Sequence, residues 1–268
     1  MKYKKLIVSG CSFTERPNSW AEILASVLNL ELINLASGGA GNKHVQYSLL
    51  NYIAKNDLDP NTTLVGIMWS HPIREDLFFE MNPEFKHQEL YLYKFDDYTA
   101  EISTRDLLKS SGFDDRKKRA FVAKHTILSG NGNKAGIALD TWTTMESTIS
   151  FLKANGFDFF QTIFHDYLHK SDLLSTKDEA WEFQKQFFYA NELERINLKF
   201  NKNGWLDLNH AEFLGEFAFF KKELESDEYH PNQIAHRLWT VKILLPKLVK
   251  MGYIDKFDTL SWITKNLK

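Results

Sequence analysis

Short apolar runs recur along the chain, and most of them lead into a polar or glycine-rich turn. In the first and third runs the apolar residues are continuous rather than alternating, which is typical of strands buried on both faces of a parallel sheet. We therefore predict four main strands, at Lys5–Val8, Leu30–Leu35, Leu64–Trp69 and Phe157–Phe164.

Between these runs, apolar positions recur with the spacing of an α-helix. Helices are predicted over Ser19–Leu28, with Asn18 or Ser19 as the N-terminal cap, and over 44–55 and 138–155. A final helix is expected to begin at Pro231, because proline suits the first helical turn. Its predicted apolar face consists of Ile234, Leu238, Trp239, Val241 and Leu245.

The alternation of strands and helices predicts an α/β fold. We expect three layers, α/β/α, around a central, mostly parallel sheet, with residues 1–268 forming a single domain. The regions 76–136 and 170–225 fit this alternation poorly and are predicted to be insertions or lids, largely helical. Within the first of them, aromatic alternation over Glu89–Tyr98 predicts a hairpin strand.

Composition restricts the class of protein. The 33 basic and 35 acidic residues nearly cancel, so we expect neither nucleic acid nor an anionic membrane surface as a partner. Cys11 is the only cysteine, which excludes an intrachain disulfide and is typical of a reducing compartment. The apolar run behind the basic residues 1–5 is too short for a signal peptide or a membrane span, so a cytoplasmic location is predicted.

Three of the predicted strands end in residues that could serve a reaction. Ser12 follows the first strand, Gly38 and Gly39 follow the second, and His71 follows the third. The carboxyl ends of parallel strands converge on one crevice, so we expect these residues to be neighbours. The glycine turn is not a nucleotide motif, because it lacks G-x-G-x-x-G and no Lys-Ser or Lys-Thr pair follows it.

A possible base lies near the other end of the chain. Asp227 and His230 are three residues apart, so one turn of chain would bring both side chains to the same side. A carboxylate on one imidazole nitrogen fixes the tautomer and supports the imidazolium that forms when the other nitrogen takes a proton. Ser12 is the candidate source of that proton.

Taken in order, these features resemble the motif blocks of the SGNH, or GDSL-type, hydrolases. The first block, usually Gly-Asp-Ser-x-Thr, is matched by Gly10–Thr14 with cysteine in place of aspartate. The second, an Asn-led turn with a glycine five residues later, is matched by Asn34–Gly39. The last, Asp-x-x-His, is matched by Asp227 and His230. The resemblance covers both ends of the chain and leaves about 76–220 uncovered.

The resemblance implies a flavodoxin-like hydrolase fold with Ser12 as nucleophile, His230 as base and Asp227 as its orienter. It also implies an oxyanion hole formed by the backbone N–H groups of Ser12 and Gly39, with Gly38 as the near alternate. The third block departs from the family's Gly-x-Asn-Asp. His71 takes the place of the asparagine, and its neutral imidazole could still donate a hydrogen bond to the oxyanion.

The function implied is hydrolysis of an acyl ester, with a small molecule or a glycan ester as substrate and no metal or organic cofactor. Two alternatives remain open at this point. One is a weakly active or non-catalytic SGNH-like domain that binds a ligand, which the altered third block favours. The other is an O-acyltransferase that uses a sugar hydroxyl in place of water.

Several other residues are candidates for supporting roles. Trp69, Arg74 and Asn42 are candidate substrate-binding residues, because they lie at the predicted crevice or just beyond it. Cys11 is a weaker alternative nucleophile, since its side chain should point away from that of Ser12. His165 and His169 are four residues apart but follow a strand, so no metal site is predicted.

Overall fold

The structure, a computed structural model, describes residues 2–70, 74–77, 91–94, 134–164, 203–219 and 230–255. The strands are β1 (Lys5–Ser9), β2 (Glu31–Asn34), β3 (Thr63–Trp69), β4 (Arg74–Leu77), β5 (Tyr91–Lys94) and β6 (Asp158–Ile163). The helices are α1 (Ser12–Glu15), α2 (Trp20–Leu28), α3 (Asn42–Lys55), α4 (Lys134–Ala154), α5 (Leu214–Phe219), α6 (Gln233–Trp239) and α7 (Leu245–Lys250). A π-helical segment, Thr240–Leu244, joins α6 to α7, and short 3₁₀ turns lie at Pro60–Thr62 and His210–Glu212.

Four of the strands form one parallel sheet in the order β2-β1-β3-β6. The registers place Val8 beside Gly66 and Gly66 beside Phe160. Strand β1 is paired along both of its edges, and its residues Leu6, Ile7 and Val8 are fully buried, so both of its faces are covered as well. The predicted α/β fold with a central parallel sheet is therefore confirmed.

Helices cover both faces of this sheet. On one face, Trp20 of α2 packs edge-on against Phe160 of β6 and against Trp239 of α6, with ring centroids 5.9 and 6.3 Å apart. On the other face, the Ser9 hydroxyl donates to the Val45 carbonyl of α3 at 3.0 Å. Helix α4 packs beside α3, where the Gln46 amide donates to the Thr144 carbonyl at 2.9 Å. These contacts give the three layers that the pattern predicted.

A fifth segment runs along the outer edge of β6. Trp205 forms an isolated parallel bridge with Gln161, whose N–H donates to the Gly204 carbonyl at 2.6 Å. The buried Gln161 side chain also accepts from the Trp69 indole at 2.7 Å and donates to the Asn203 carbonyl at 2.7 Å. This side chain therefore fixes the edge segment to the sheet.

The predicted hairpin strand within Glu89–Tyr98 is found as β5, which pairs antiparallel with β4 to form a separate two-stranded sheet. Most of the two predicted insertions, 76–136 and 170–225, lies outside the described residues. No helix among the described residues is long and apolar enough to cross a membrane.

Two local predictions about the last helix were wrong, and the N-cap predicted for α2 is right in position but makes no capping hydrogen bond. Helix α6 begins at Gln233 rather than Pro231, because the Asn232 side chain caps it by accepting from the Ala235 N–H at 2.9 Å. Ile234, predicted to face the core, is 58% exposed. Ser19 occupies the N-cap position of α2, but its hydroxyl donates to the Thr14 carbonyl at 2.8 Å instead of capping the helix.

Candidate active site

The turn after β1 is built so tightly that its first residue must be glycine. A Cβ on Gly10 would collide with the Thr14 hydroxyl and lie 3.0 Å from the Met68 carbonyl of β3. Immediately after it, Cys11 is fully buried at the N-cap of α1, whereas Ser12, the first residue of α1, is half-buried. The Cys11 thiol therefore lies in the core, whereas the Ser12 hydroxyl remains partly accessible.

Thr14 holds this turn in place through three hydrogen bonds. Its carbonyl accepts from the Asn34 side chain at 2.9 Å and from the Ser19 hydroxyl, and its own hydroxyl accepts from the Trp20 indole at 3.1 Å. Asn34 is the last residue of β2, so its side chain joins the end of β2 to the backbone of α1. These bonds stabilise α1, because a helix of four residues is too short to be stable alone.

Ser12 and His230 meet just beyond the carboxyl end of β1. The Ser12 Oγ lies 2.8 Å from the His230 Nε2, a hydrogen bond between residues 218 positions apart in the chain. Both side chains are half-buried. In a neutral imidazole with the proton on Nδ1, Nε2 accepts from the hydroxyl, which is the arrangement that a general base and an oxygen nucleophile require.

A second histidine lies close to this pair. His236 of α6 is 3% exposed, and its Nδ1 accepts from the Trp20 N–H, the first N–H of α2, at 3.2 Å. Burial lowers the pKa of His236 from 6.5 to about 4, and the nearby His230 and Arg16 act in the same direction. His236 is therefore neutral at physiological pH and adds no positive charge beside His230.

The glycine turn after β2 lies against the start of α1. The Ser37 N–H donates to the Gly10 carbonyl at 3.2 Å, and a Cβ on Gly38 would lie 2.7 Å from the Glu15 carboxylate. Gly39 has a φ of +79°, which favours glycine. Within the described residues, no hydrogen bond occupies the N–H of Gly39.

Two of the predicted substrate-binding residues have their polar atoms engaged within the fold. Asn42, 3% exposed, accepts from the Ser70 N–H at 2.8 Å and donates to the Ser70 carbonyl at 3.2 Å. Trp69 is fully buried, and its indole N–H is bonded to Gln161. Asn42 therefore fixes the chain where it leaves β3, and Trp69 forms part of the core beneath the crevice.

The remaining candidates lie partly or wholly outside the described part of the chain. Asp227 and His71 are outside it, as are His165 and His169. Arg74 is described only as the first backbone position of β4. Among the described residues, no group of three or more His, Cys, Asp or Glu side chains could hold a metal ion.

The sequence reasoning missed Phe13, whose ring packs against His230 with centroids 5.2 Å apart. It also gave no role to His236 or to the Thr14 hydrogen bonds. The sequence offered only one indication that these residues belong to the site, which is their closeness in the chain to its candidates. Phe13 and Thr14 directly follow the candidate nucleophile, and His236 lies six residues after the candidate base. Nothing in the chain's local pattern indicates that Phe13 and His230 meet.

No protein-family model and no curated protein matches the chain. Solved structures that are similar to it include a member of the lipolytic protein G-D-S-L family from Veillonella parvula, with 15% identity, coverage of 92% of this chain and 97% of that chain, and a TM-score of 0.41. The esterase EstA from Pseudoalteromonas sp. is 12% identical, and the match covers 94% of this chain and 100% of that chain with a TM-score of 0.45. A catalytic mutant of an acetylxylan esterase from Geobacillus stearothermophilus is 13% identical, and the match covers 95% of this chain and 98% of that chain with a TM-score of 0.42.

Proposed function

We propose that the protein is a serine-dependent acyl-ester hydrolase of the SGNH type, with Ser12 as nucleophile and His230 as general base. The observation that carries the proposal is the 2.8 Å hydrogen bond between Ser12 Oγ and His230 Nε2. A serine hydroxyl is a weak nucleophile unless a base within hydrogen-bonding distance accepts its proton as it attacks. General-base catalysis of this kind contributes about 10²- to 10⁴-fold in rate.

The proposed reaction has two halves. As Ser12 Oγ attacks the ester carbonyl carbon, its proton passes to His230 Nε2, and the tetrahedral intermediate collapses when the imidazolium protonates the departing alcohol. Water then attacks the acyl-serine, giving one proton to His230, and the acyl–oxygen bond to Ser12 breaks. His230 returns that proton to the serine oxygen, so the enzyme and a carboxylic acid are left and no cofactor is required.

The oxyanion formed in each half needs hydrogen-bond donors. We assign this role to the backbone N–H groups of Ser12 and Gly39, with Gly38 as the alternate and the His71 imidazole as the side-chain donor. The contact of the glycine turn with Gly10 and with Glu15 of α1 supports this assignment for the backbone groups. Each such donor contributes about 3 to 4 kcal/mol of transition-state stabilisation.

Asp227 is proposed to accept from His230 Nδ1–H, which would keep Nε2 free to act as the base. Replacing it with asparagine should lower kcat more than KM, because the wrong tautomer would then be held in place. Arg74 is proposed to bind a carboxylate of the substrate. Trp69 and Asn42 are proposed to support the substrate-binding crevice from beneath, through the contacts described above.

A fluorophosphonate probe tests the proposal directly, because it reacts with activated serines. We expect the wild-type protein to be labelled and the Ser12→Ala and His230→Ala variants not to be, with Ser26→Ala, an exposed serine on α2, as the matched control that keeps labelling. Circular dichroism establishes that each variant is folded. A folded wild type that is not labelled would refute the hydrolase and leave a ligand-binding domain.

Product analysis identifies the acyl acceptor. Short-chain nitrophenyl esters should yield the free acid in water at a rate that depends on Ser12. If a sugar hydroxyl is acylated in preference to water under the same conditions, the protein is an O-acyltransferase and the proposed hydrolysis is overturned.

A further inference from the structure

The residue that follows the proposed nucleophile contacts the proposed base. Phe13, 4% exposed, packs its ring against the His230 imidazole with centroids 5.2 Å apart and planes inclined at 41°. Ser12 and Phe13 are consecutive in α1, so one short helix places a hydroxyl on Nε2 and an aromatic ring beside the same imidazole. The position of His230 is therefore restricted from two directions.

Phe164 supports Phe13 from behind. The two rings are 4.5 Å apart and inclined at 37°, and Phe164 is also 4% exposed. Phe164 directly follows β6, and its carbonyl accepts from the Gly215 N–H of α5 at 2.7 Å. The Phe13 ring is thus held by an element that contains neither Ser12 nor His230.

From this geometry we infer that Phe13 is a positioning residue that also stabilises the protonated form of His230. The imidazole becomes a cation when it takes the Ser12 proton, and the face of an aromatic ring attracts a cation that lies within about 6 Å of the ring centroid. The 5.2 Å separation of the Phe13 and His230 rings meets that distance, and their 41° inclination keeps Phe13 from lying edge-on at a right angle to the imidazole. An aliphatic side chain of similar size would exclude water equally well but would lack the quadrupole. The kinetic part of this inference rests on the proposed function, whereas the effect on the imidazole does not.

Two other described groups near His230 carry no charge that would favour the imidazolium. The Ser12 hydroxyl is neutral, and it is the proton donor. His236 of α6 interacts electrostatically with His230, but burial lowers the pKa of His236 to about 4, so it is uncharged at neutral pH. The Asp227 carboxylate proposed above would favour the imidazolium as well, and it is the same in every variant compared below.

The experiment compares Phe13→Leu with Phe157→Leu, a buried ring at the opposite end of β6 from Phe164. NMR titration of the His230 ring protons, assigned with His230→Gln, measures the imidazole without turnover. We expect the titration midpoint of His230 to fall by about 0.5 pH unit in Phe13→Leu and to stay within about 0.2 unit of wild type in Phe157→Leu. Both substitutions remove one buried ring, so Phe157→Leu measures the effect of losing buried aromatic packing away from His230.

The kinetic readout is kcat against KM for a neutral ester. Phe13→Leu should lower kcat by about 2- to 5-fold with KM unchanged, and Phe13→Tyr, which keeps the ring, should restore most of it. Equal His230 midpoints in wild type and Phe13→Leu, or an equal shift in both leucine variants, would overturn the inference. If wild type does not react with fluorophosphonate, the hydrolase proposal fails, but the NMR comparison still decides whether Phe13 stabilises the imidazolium.

Discussion

Acid should destabilise the fold through His236. This imidazole is almost fully buried and accepts from the Trp20 N–H, and burial lowers its pKa from 6.5 to about 4. As the pH falls below 6.5, the unfolded chain binds a proton at this residue, whereas the folded chain does so only near pH 4. The stability that neutral His236 contributes is therefore fully present above pH 6.5 and is lost as the pH falls towards 4.

The magnitude follows from the two pKa values of His236. One unit of pKa difference corresponds to about 1.36 kcal/mol, so the interval from 6.5 to about 4 corresponds to about 3 kcal/mol below pH 4. Between pH 7.5 and pH 5 the free energy of unfolding should fall by about 2 kcal/mol on account of this one residue. Domains are typically stable by only about 5 to 15 kcal/mol, so this loss is measurable.

Urea unfolding followed by tryptophan fluorescence, at steps from pH 7.5 to 4.5, measures the effect. The comparison is with His236→Asn, because an asparagine oxygen can accept from the Trp20 N–H but does not titrate. The variant should be less stable at pH 7.5, owing to its smaller side chain, yet lose about 2 kcal/mol less than wild type on going to pH 5. Subtracting the two curves removes the contribution of every other titrating group.

His44, a half-buried histidine, provides the control. Burial lowers the pKa of His44 as well, but the hydrogen bond to the Leu35 backbone opposes that shift and the side chain is half-buried. His44→Asn should therefore flatten the pH dependence less than His236→Asn does. Parallel stability curves for wild type and His236→Asn would refute the reasoning, since they would mean that His236 titrates alike in the folded and unfolded chains.

Three further predictions concern the core around the crevice. Thr14→Val should lower the free energy of unfolding in urea by about 1 to 3 kcal/mol, because the buried Trp20 indole loses its acceptor; Thr14→Ser, which keeps the hydroxyl, should lose less. Gly66→Ala should cost about 1 to 3 kcal/mol, since the new Cβ would lie 2.6 Å from the Phe160 ring. Adding Phe160→Leu should recover part of that loss, and strictly additive losses would contradict the contact. Cys11, fully buried, should react with a thiol reagent only as fast as the protein unfolds, and rapid reaction of the folded protein would place the thiol at the surface.

The sheet could be predicted from the sequence because its signal is local. The first and third strands are continuous apolar runs, and each of the four predicted strands matches an observed strand to within two residues at either end. Burial on both faces of a parallel sheet requires such runs, whatever the rest of the chain does. Because the ends of the first two strands could be located from these runs, Ser12 and Gly38–Gly39 could also be located just beyond them.

The errors lie where two local preferences compete. At the last helix, Pro231 and Asn232 are both typical of a helix start, and the asparagine prevails because its side chain accepts from the Ala235 N–H. Ile234 was assigned to the core by extending an α-helical period through Val241. The π-helical segment Thr240–Leu244 changes that period, so the face buried beyond it is not the face buried before it.

The contacts that define the crevice could not be predicted from local pattern at all. The hydrogen bond from Ser12 to His230, and the packing of Phe13 on the same ring, join residues more than 200 positions apart. The motif resemblance predicted the first contact, because the family's blocks name its nucleophile and base. It gave no indication of the second, since the block leaves the residue after the serine unspecified.

The 218 residues that separate Ser12 from His230 also affect the timing of synthesis. A ribosome that adds about 5 to 20 residues per second needs about 10 to 40 seconds to cover that interval. Throughout it, the nascent polypeptide would carry its proposed nucleophile without a base, and so would be inert towards cellular esters. Reactivity would begin only when His230 reaches Ser12, so its onset would report that these two distant segments have come together.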